Sequence, residues 1–559
     1  MKGNSMAAEL PQIETVSSVT PKGREPGSDG VPPASKNLPI TVNTPAGRSG
    51  SQEAPEKEKV IIIGAGVAGL ACGCYLQMNG IPTEILEASL LPGGLCTAWH
   101  RGPYVFDGCL RWLVGTDPSS VFHQVWQELG AIAGRKILLH DEILQVEDPN
   151  GKTIAVPANL DAIAREFKRI APEDAGLIDR LVRDARRCAW LEPPLEPLEL
   201  MKHHQKMRLG LRCLPILPVV FRWKNLPITT YLARYKNDFL RKTLQAMVGN
   251  EDMSALVLVM LLAFRTCNNT GFVAGGSWDF AMAIANRYLR LGGTLRYKAR
   301  VASIKVENNR ATGVQCADGT TVPASIVVSC ADGYTTIFKM LDGRFVDKKI
   351  RFLYENCKTF PALIQVSLGI NHVFPDAPHT LNLLLSRPLR VDDRSVFDCL
   401  EVETFGSDTA LCPEGTTVMT VRLPTSYEFW THLKKSDPSR YRAEKKTVTQ
   451  EIIAILDKRF PGLAQNLDRS DIATPATFVR YTGNWRGSYE GWLPTPGILG
   501  RRIPYTLPGL KDFYMAGHWV VAGGGLPSAA LSGRYVAQMI CAGKGKVFAA
   551  TEPLASQVH

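Results

Sequence analysis

The apolar positions of this chain follow two different periods, and the first switch between them comes early. Val60, Ile61, Ile62 and Ile63 are consecutive apolar β-branched residues, the pattern of a parallel strand buried on both faces. Gly64, Gly66 and Gly69 interrupt the run, an apolar helical segment follows, and residues 83–86 predict a second strand closed by Glu87. Ile163, Phe167, Ile170, Ile178 and Leu181 then recur at helical spacing, with Pro172 starting a second helix. The longest apolar run, residues 255–264, has the length of a core helix and falls short of a bilayer span. Residues 294–328 alternate in short runs broken by Asn308-Asn309 and Asp318-Gly319, which predicts hairpins. Residues 362–370 and 417–423 predict strands of a larger sheet, and residues 445–460 an amphipathic helix that stops before Pro461-Gly462. Near the end, residues 512–515 predict a short strand, followed by Gly517, glycines 523–525 and an apolar helix through Ile540.

The strand, glycine turn, helix, strand and acid of residues 59–87 agree with a dinucleotide site. The first glycine permits a tight turn, the second lets backbone approach a pyrophosphate, and the third lets helix and strand pack closely. The helix N-terminus offers free N–H groups and a positive dipole end to the phosphates. Glu87 stands at the offset where a carboxylate accepts hydrogen bonds from a ribose. Gly93 and Gly94 follow that acid within a few residues, a pair that flavoproteins of this type place against the diphosphate, and this favours FAD. Leu95 stands where many such proteins carry Arg, a departure from the general amine-oxidase pattern. At the other end, Gly517, Gly524 and Gly525 leave backbone free to lie against a planar ring, and Leu526 and Pro527 open a helix whose dipole points at it. A second dinucleotide motif is not visible, so FAD is the expected cofactor and NAD(P) stays open.

GAGVAGL, PGGLCTAW, YVFDGCLRWLVG and FYMAGHWVVAGGGLPSAALSG together resemble the phytoene desaturase, carotenoid isomerase and retinol saturase superfamily of FAD-dependent oxidoreductases. The resemblance spans residues 58–548. It implies an α/β fold: a Rossmann-type FAD-binding domain of the glutathione-reductase/amine-oxidase kind, with a discontinuous α+β substrate domain. It also implies that Val301 meets the adenine edge, and that the substrate is a long apolar polyene or isoprenoid lipid. FDG and GGGLP sit slightly nearer the isomerase and saturase branches, while saturation, desaturation and isomerisation stay unseparated. Two other classes remain open. One is a lipid-binding, non-catalytic protein of the same fold, which has no use for so full a glycine framework. The other is an amine oxidase with an aromatic cage built from Tyr481, Trp485 and Trp519.

Length and composition divide the 559 residues. Residues 1–57 hold no aromatic residue and no cysteine and read as a disordered tail without a secretory signal. The FAD-binding domain is expected at 58–150, 273–345 and 505–548, the substrate domain at 151–272 and 346–504, and a C-terminal tail at 549–559. Thirteen cysteines without a CxxC pair read as reduced thiols, Cys72 and Cys74 pointing different ways from one helix, and no metal site is expected. The net charge of +11 gathers at residues 201–242, where Lys202, Lys206, Arg208, Arg212, Arg222 and Lys224 interleave with Leu209, Leu211, Leu214, Leu217 and Phe221. This mixture suits the headgroup zone of an anionic membrane better than nucleic acid. The expectation is therefore a cytoplasmic, peripherally membrane-associated protein, with organelle targeting and oligomeric state open.

Glu490 and His518 are the titratable candidates for acid or base. Asp107, Trp112, Tyr481, Trp485, Trp492 and Trp519 are the expected substrate lining.

Overall fold

A computed structural model describes residues 59–551 apart from 267, 268, 500 and 502. The expected tail at residues 1–57 lies outside the described residues. The first layer is a five-stranded parallel sheet in the order Thr294–Arg296, Thr83–Leu86, Val60–Ile63, Ile326–Ser329, Phe513–Met515. Its central strand, Val60–Ile63, is buried at every residue, which explains the unbroken apolar run. The C-terminal strand Phe513–Met515 lies in register beside Ile326–Ser329, and Ile326–Ser329 beside Val60–Ile63. The first and last described strands thus end at the carboxyl edge of one sheet, where open α/β sheets bind ligands.

Helix Val67–Met78 is buried at every residue but Gln77. Cys72 and Cys74 are both fully buried, because the helix is enclosed on all sides. One neighbour is the terminal helix Gly525–Gly543, where a Cβ on Gly533 would come within 2.9 Å of Cys72 N. That helix is tied further by Arg534, whose Nε lies 3.1 Å from Glu128 Oε2 while Tyr75 donates to the same carboxylate at 2.6 Å. Arg534 and Glu128 are only 6% and 10% exposed. Breaking a buried pair strands the remaining charge, so Arg534→Met is expected to cost about 3–5 kcal/mol, read as a lowered urea midpoint.

The second layer is a seven-stranded sheet in the order Leu467–Ala473, Ala362–Ile370, Thr417–Thr425, Val396–Phe405, Thr380–Arg390, Glu142–Glu147, Thr153–Pro157. Two expected boundaries move. The hairpin Glu142–Glu147/Thr153–Pro157 belongs to this sheet through a parallel pairing with Thr380–Arg390, so a domain boundary after residue 150 would split it. The expected tail at 549–559 begins docked: Ala549 N donates to Asn79 Oδ1 at 2.7 Å, and the Phe548 ring packs 5.7 Å from that of Tyr75. The predicted helix at 445–460 is longer, Pro438–Arg459, because the Asp437 side chain caps it by accepting from Arg440 N at 2.9 Å. The hairpins expected within 294–328 are present, with Asn308 and Asn309 both at positive φ in the turn between Val301–Glu307 and Arg310–Cys316.

Candidate active site

The turn after Val60–Ile63 needs glycine twice. Gly64 adopts φ +95°, and a Cβ on Gly69 would be driven onto the Gly64 carbonyl oxygen. Gly69 therefore packs helix on strand and takes no place in the cavity wall. Across the turn, Gly93 N donates to Ala65 O at 2.8 Å, and a Cβ on Gly94 would lie 3.4 Å from Gly66 Cα. The two glycine loops thus face one another with bare backbone. Glu87 is buried and accepts from Ala65 N and Ser89 N, both at 2.7 Å. Burial raises its carboxyl pKa, while those N–H groups and Arg300 pull it back down.

Gly517 takes φ +110° with ψ −173° and Gly524 φ +52° with ψ −144°, combinations that a Cβ excludes. A Cβ on Gly524 would sit 2.8 Å from that of Glu490, and one on Gly491 would sit 2.9 Å from His518 Cδ2. The loop carrying Glu490 is therefore clamped against the C-terminal glycines by close backbone approach.

Two helices begin here, Val67–Met78 and Gly525–Gly543, and neither has a side-chain cap. Ser120, Asn159, Asn237, Ser254 and Ser426 cap other helix starts with their own oxygens, while Gly276–Arg290 and Ala175–Cys188 also start without one. Uncapped N–H groups at two helix starts, walled by glycine, suit an anionic nucleotide.

Gly64, Gly66, Glu87, Gly93, Gly94, Val301, Gly517, Gly524, Gly525 and Leu526 all line one cavity of about 1630 Å³. Its wall continues past Arg111, Trp112, Tyr481, Glu490, His518 and Trp519 to the apolar side chains Leu256, Met260, Phe264, Leu363, Leu384 and Phe397. Ordinary small-molecule sites hold about 300–1,000 Å³, so this one has room for a dinucleotide and a long second ligand. Leu209 and Cys213 of the basic helix His203–Cys213 belong to the same wall.

Three expected lining residues lie elsewhere. Asp107 is fully buried and accepts from Cys109 N, Leu110 N, Ser277 N and Ser277 Oγ, which makes it a structural hub. Trp485 stacks on Tyr334 with centroids 4.5 Å apart and rings 3° from parallel. Trp492 donates its indole N–H to Trp519 O at 3.0 Å and packs edge-on to Tyr354. Both tryptophans fill a core, so Tyr481, Trp485 and Trp519 do not assemble a cage around the cavity.

The two titratable candidates separate. Burial raises the Glu490 carboxyl to about 7 against a lowering pull from Arg111. Burial lowers His518 to about 4, and its Nε2 has no hydrogen-bond partner among the described residues. Near neutral pH, Glu490 is poised to exchange a proton and His518 stays a neutral ring.

A charged row that the sequence analysis does not assemble runs beside the cavity. Arg111 pairs with Glu401 and Glu403, and Arg422 pairs with Glu403. Arg422 also donates to Asp107 O at 2.8 Å, joining the seven-stranded sheet to the Asp107 turn. Despite burial, the two guanidinium groups hold Glu403 down at about 2. A charge inside the apolar strand Thr417–Thr425 was the available signal.

A model of the flavin-containing amine oxidoreductases matches residues 67–541. The chain belongs to that family. It is a flavin-dependent oxidoreductase, and the Leu95 departure does not remove it. Among curated relatives, chloroplastic prolycopene isomerase of Daucus carota is 26% identical over 515 residues, covering 87% of this chain and 80% of its own. A lycopene-forming phytoene desaturase of Paracoccus sp. is 25% identical, covering 87% and 98%. Among solved structures, a redesigned putrescine oxidase aligns with a TM-score of 0.59 at 16% identity, covering 87% and 99%. At that identity the structural likeness speaks for the fold alone.

Proposed function

We propose that the chain uses FAD to transform carbon–carbon double bonds in a long apolar polyene or isoprenoid lipid. The observation that carries this reading is the single cavity joining both glycine frameworks to an apolar chamber. Relatives named prolycopene isomerase and phytoene desaturase support the substrate class. FAD suits the two uncapped helix starts and the buried Glu87, which fit a diphosphate and a ribose. When bound, the flavin supplies hydride exchange at its N5.

The chain's own residues do the rest. The apolar wall aligns the substrate and keeps water out. Glu490, beside Gly524 and Gly525, holds or accepts the proton that accompanies the double-bond change. His518, Trp112 and Trp519 shape the passage around it.

Entry from a membrane surface completes the reading. Helix His203–Cys213 has no buried residue, and Met207, Leu211, Leu214 and Phe221 are 58%, 61%, 54% and 67% exposed. Lys202, Lys206, Arg208 and Arg212 stand among them. No helix among the described residues is long and apolar enough to cross a membrane. A surface-lying helix beside the cavity wall admits an insoluble substrate without such a span. Each basic residue contributes about 1 kcal/mol at an anionic surface, so Lys206→Glu with Arg212→Glu is expected to weaken binding to phosphatidylserine vesicles about 30-fold or more. Cosedimentation checks this, and unchanged binding removes the membrane route.

The function is tested by anaerobic incubation of the flavin-loaded protein, in one arm oxidised and in another reduced beforehand with dithionite, with liposomes carrying carotenoids and retinoids. Products heavier by two hydrogens, lighter by two, or of equal mass distinguish saturation, desaturation and isomerisation. Protein without FAD on denaturation, or substrates returned unchanged across the panel, defeats the proposal.

A further inference from the structure

The hairpin Ala98–Arg101/Tyr104–Asp107 brings two cysteines together at its open end. Its register pairs Ala98 with Asp107, and Gly108 N donates to Thr97 O at 2.9 Å one step further on. The next step sets Cys96 across from Cys109. Cross-strand neighbours lie about 4.5–5.5 Å apart, inside the Cα separation of about 4.4–6.8 Å that a disulfide requires.

A second set of contacts fixes both residues on Ser277. The Cys96 thiol donates to Ser277 O at 3.6 Å. Leu110 N, directly after Cys109, donates to Ser277 Oγ at 2.7 Å. Cys109 N itself donates to Asp107 Oδ1 at 2.8 Å. Both cysteines line the large cavity, as do Gly93, Gly94 and Arg111. Cys96 is 2% exposed, whereas Cys109 is half-buried. The neighbouring Cys109 thiol, followed by burial, pushes the Cys96 thiol well up.

We infer that Cys96 and Cys109 form a redox-active dithiol in the wall of the cofactor site, exchanging two electrons with the flavin held beside it. This rests on the FAD reading above. The step balances: two S–H bonds break, one S–S bond forms, and two electrons and two protons leave the thiols. The flavin takes both electrons with one proton, and the second proton goes to solvent. A small external thiol, of the glutathione or dithiothreitol class, returns the disulfide to the dithiol by exchange. Cys109, the more open of the two, is the thiol it meets first, and Cys96 resolves the mixed disulfide. The pair gives this oxidoreductase a route by which cellular thiols set the charge state of its flavin.

The test has two arms on the full chain as purified. In the first, the protein is equilibrated with oxidised glutathione, alkylated and digested. A linked Cys96–Cys109 peptide, two hydrogens lighter, is the expected product. Cys96→Ser should instead retain glutathione on Cys109, and Cys109→Ser should retain far less. In the second, the flavin-loaded protein is mixed anaerobically with dithiothreitol, and bleaching of the flavin band is followed. Cys109→Ser is expected to slow bleaching roughly tenfold or more while keeping its flavin. Flavin-loaded protein in which both thiols alkylate separately overturns the dithiol alone. A linked pair in protein that binds no flavin overturns electron exchange together with the cofactor reading. Bleaching at the wild-type rate in both serine variants overturns the exchange and leaves the cofactor reading standing.

Discussion

A Gly69→Ala protein is expected to purify without its yellow colour. Two effects compete at this position, and their sizes decide the sign. In a helix interior alanine is favoured over glycine by about 1 kcal/mol. Against this, the new Cβ would be driven onto the Gly64 carbonyl oxygen and within 3.2 Å of Gly64 C. Both are backbone atoms of the turn that faces the cavity, so no rotamer change relieves them. Overpacking of this kind costs about 1–3 kcal/mol, and more where backbone has to move. The relief available is for helix Val67–Met78 to shift from strand Val60–Ile63, opening the turn that presents Gly64 and Gly66. A strain of about 1–3 kcal/mol concentrated there lowers nucleotide affinity about 5- to 150-fold. Released flavin per protein, measured by absorbance, reads the loss. Gly176→Ala is the control: its Cβ meets nothing within 4 Å in helix Ala175–Cys188, so the propensity gain should appear alone, with full colour. Equal flavin content in the Gly69 variant would detach this turn from the cofactor.

The contrast between those two glycines also explains what the sequence could disclose. The Gly64–Gly69 motif was legible because strand, turn, helix and acid are contiguous, and each imposes a residue type by local geometry. Strands Val60–Ile63, Thr83–Leu86 and Ala362–Ile370 were legible for the same reason, since burial dictates their apolar runs. The boundary expected after residue 150 splits the hairpin Glu142–Glu147/Thr153–Pro157, because the partner of its first strand, Thr380–Arg390, lies far along the chain. Nothing in six residues announces a distant parallel partner. Trp485 and Trp492 read as lining in the sequence because an aromatic side chain looks alike in a core and in a tunnel. Asp107 was misplaced for a different reason. A carboxylate that accepts four hydrogen bonds, from Cys109, Leu110 and Ser277, is indistinguishable in sequence from one that faces substrate. Two of those four bonds come from Ser277, on a helix 170 residues away. Glu490 and His518 line the same cavity, yet only the fold separates them. Burial acts oppositely on an acid and a base, raising one carboxyl and suppressing one imidazolium.

That opposition makes Glu490→Gln the most informative single change in the reaction itself. Gln keeps the shape and removes the proton, so flavin content should hold while turnover falls about 10²–10⁴-fold, the range for loss of a positioned acid or base. The pH profile adds the direction of the reaction. With Glu490 titrating at about 7, a reductase needs the protonated form and loses activity as pH rises past that value. A desaturase needs the carboxylate and loses activity as pH falls below it. The glutamine variant should show neither bend. Stability carries the same signature with its sign fixed by linkage. The carboxyl pKa rises from 4.5 to about 7 on folding, so between those values the native state binds more protons than the unfolded chain. Stability therefore falls as pH climbs through that window and levels off above it. Glu490→Gln escapes this loss and should be the more stable protein at pH ~8 by up to about 3 kcal/mol, the gap closing towards pH ~4. Urea melts at the two pH values measure it. A gap that does not change with pH would remove burial as the cause of the shift, and undiminished turnover would remove Glu490 from the chemistry.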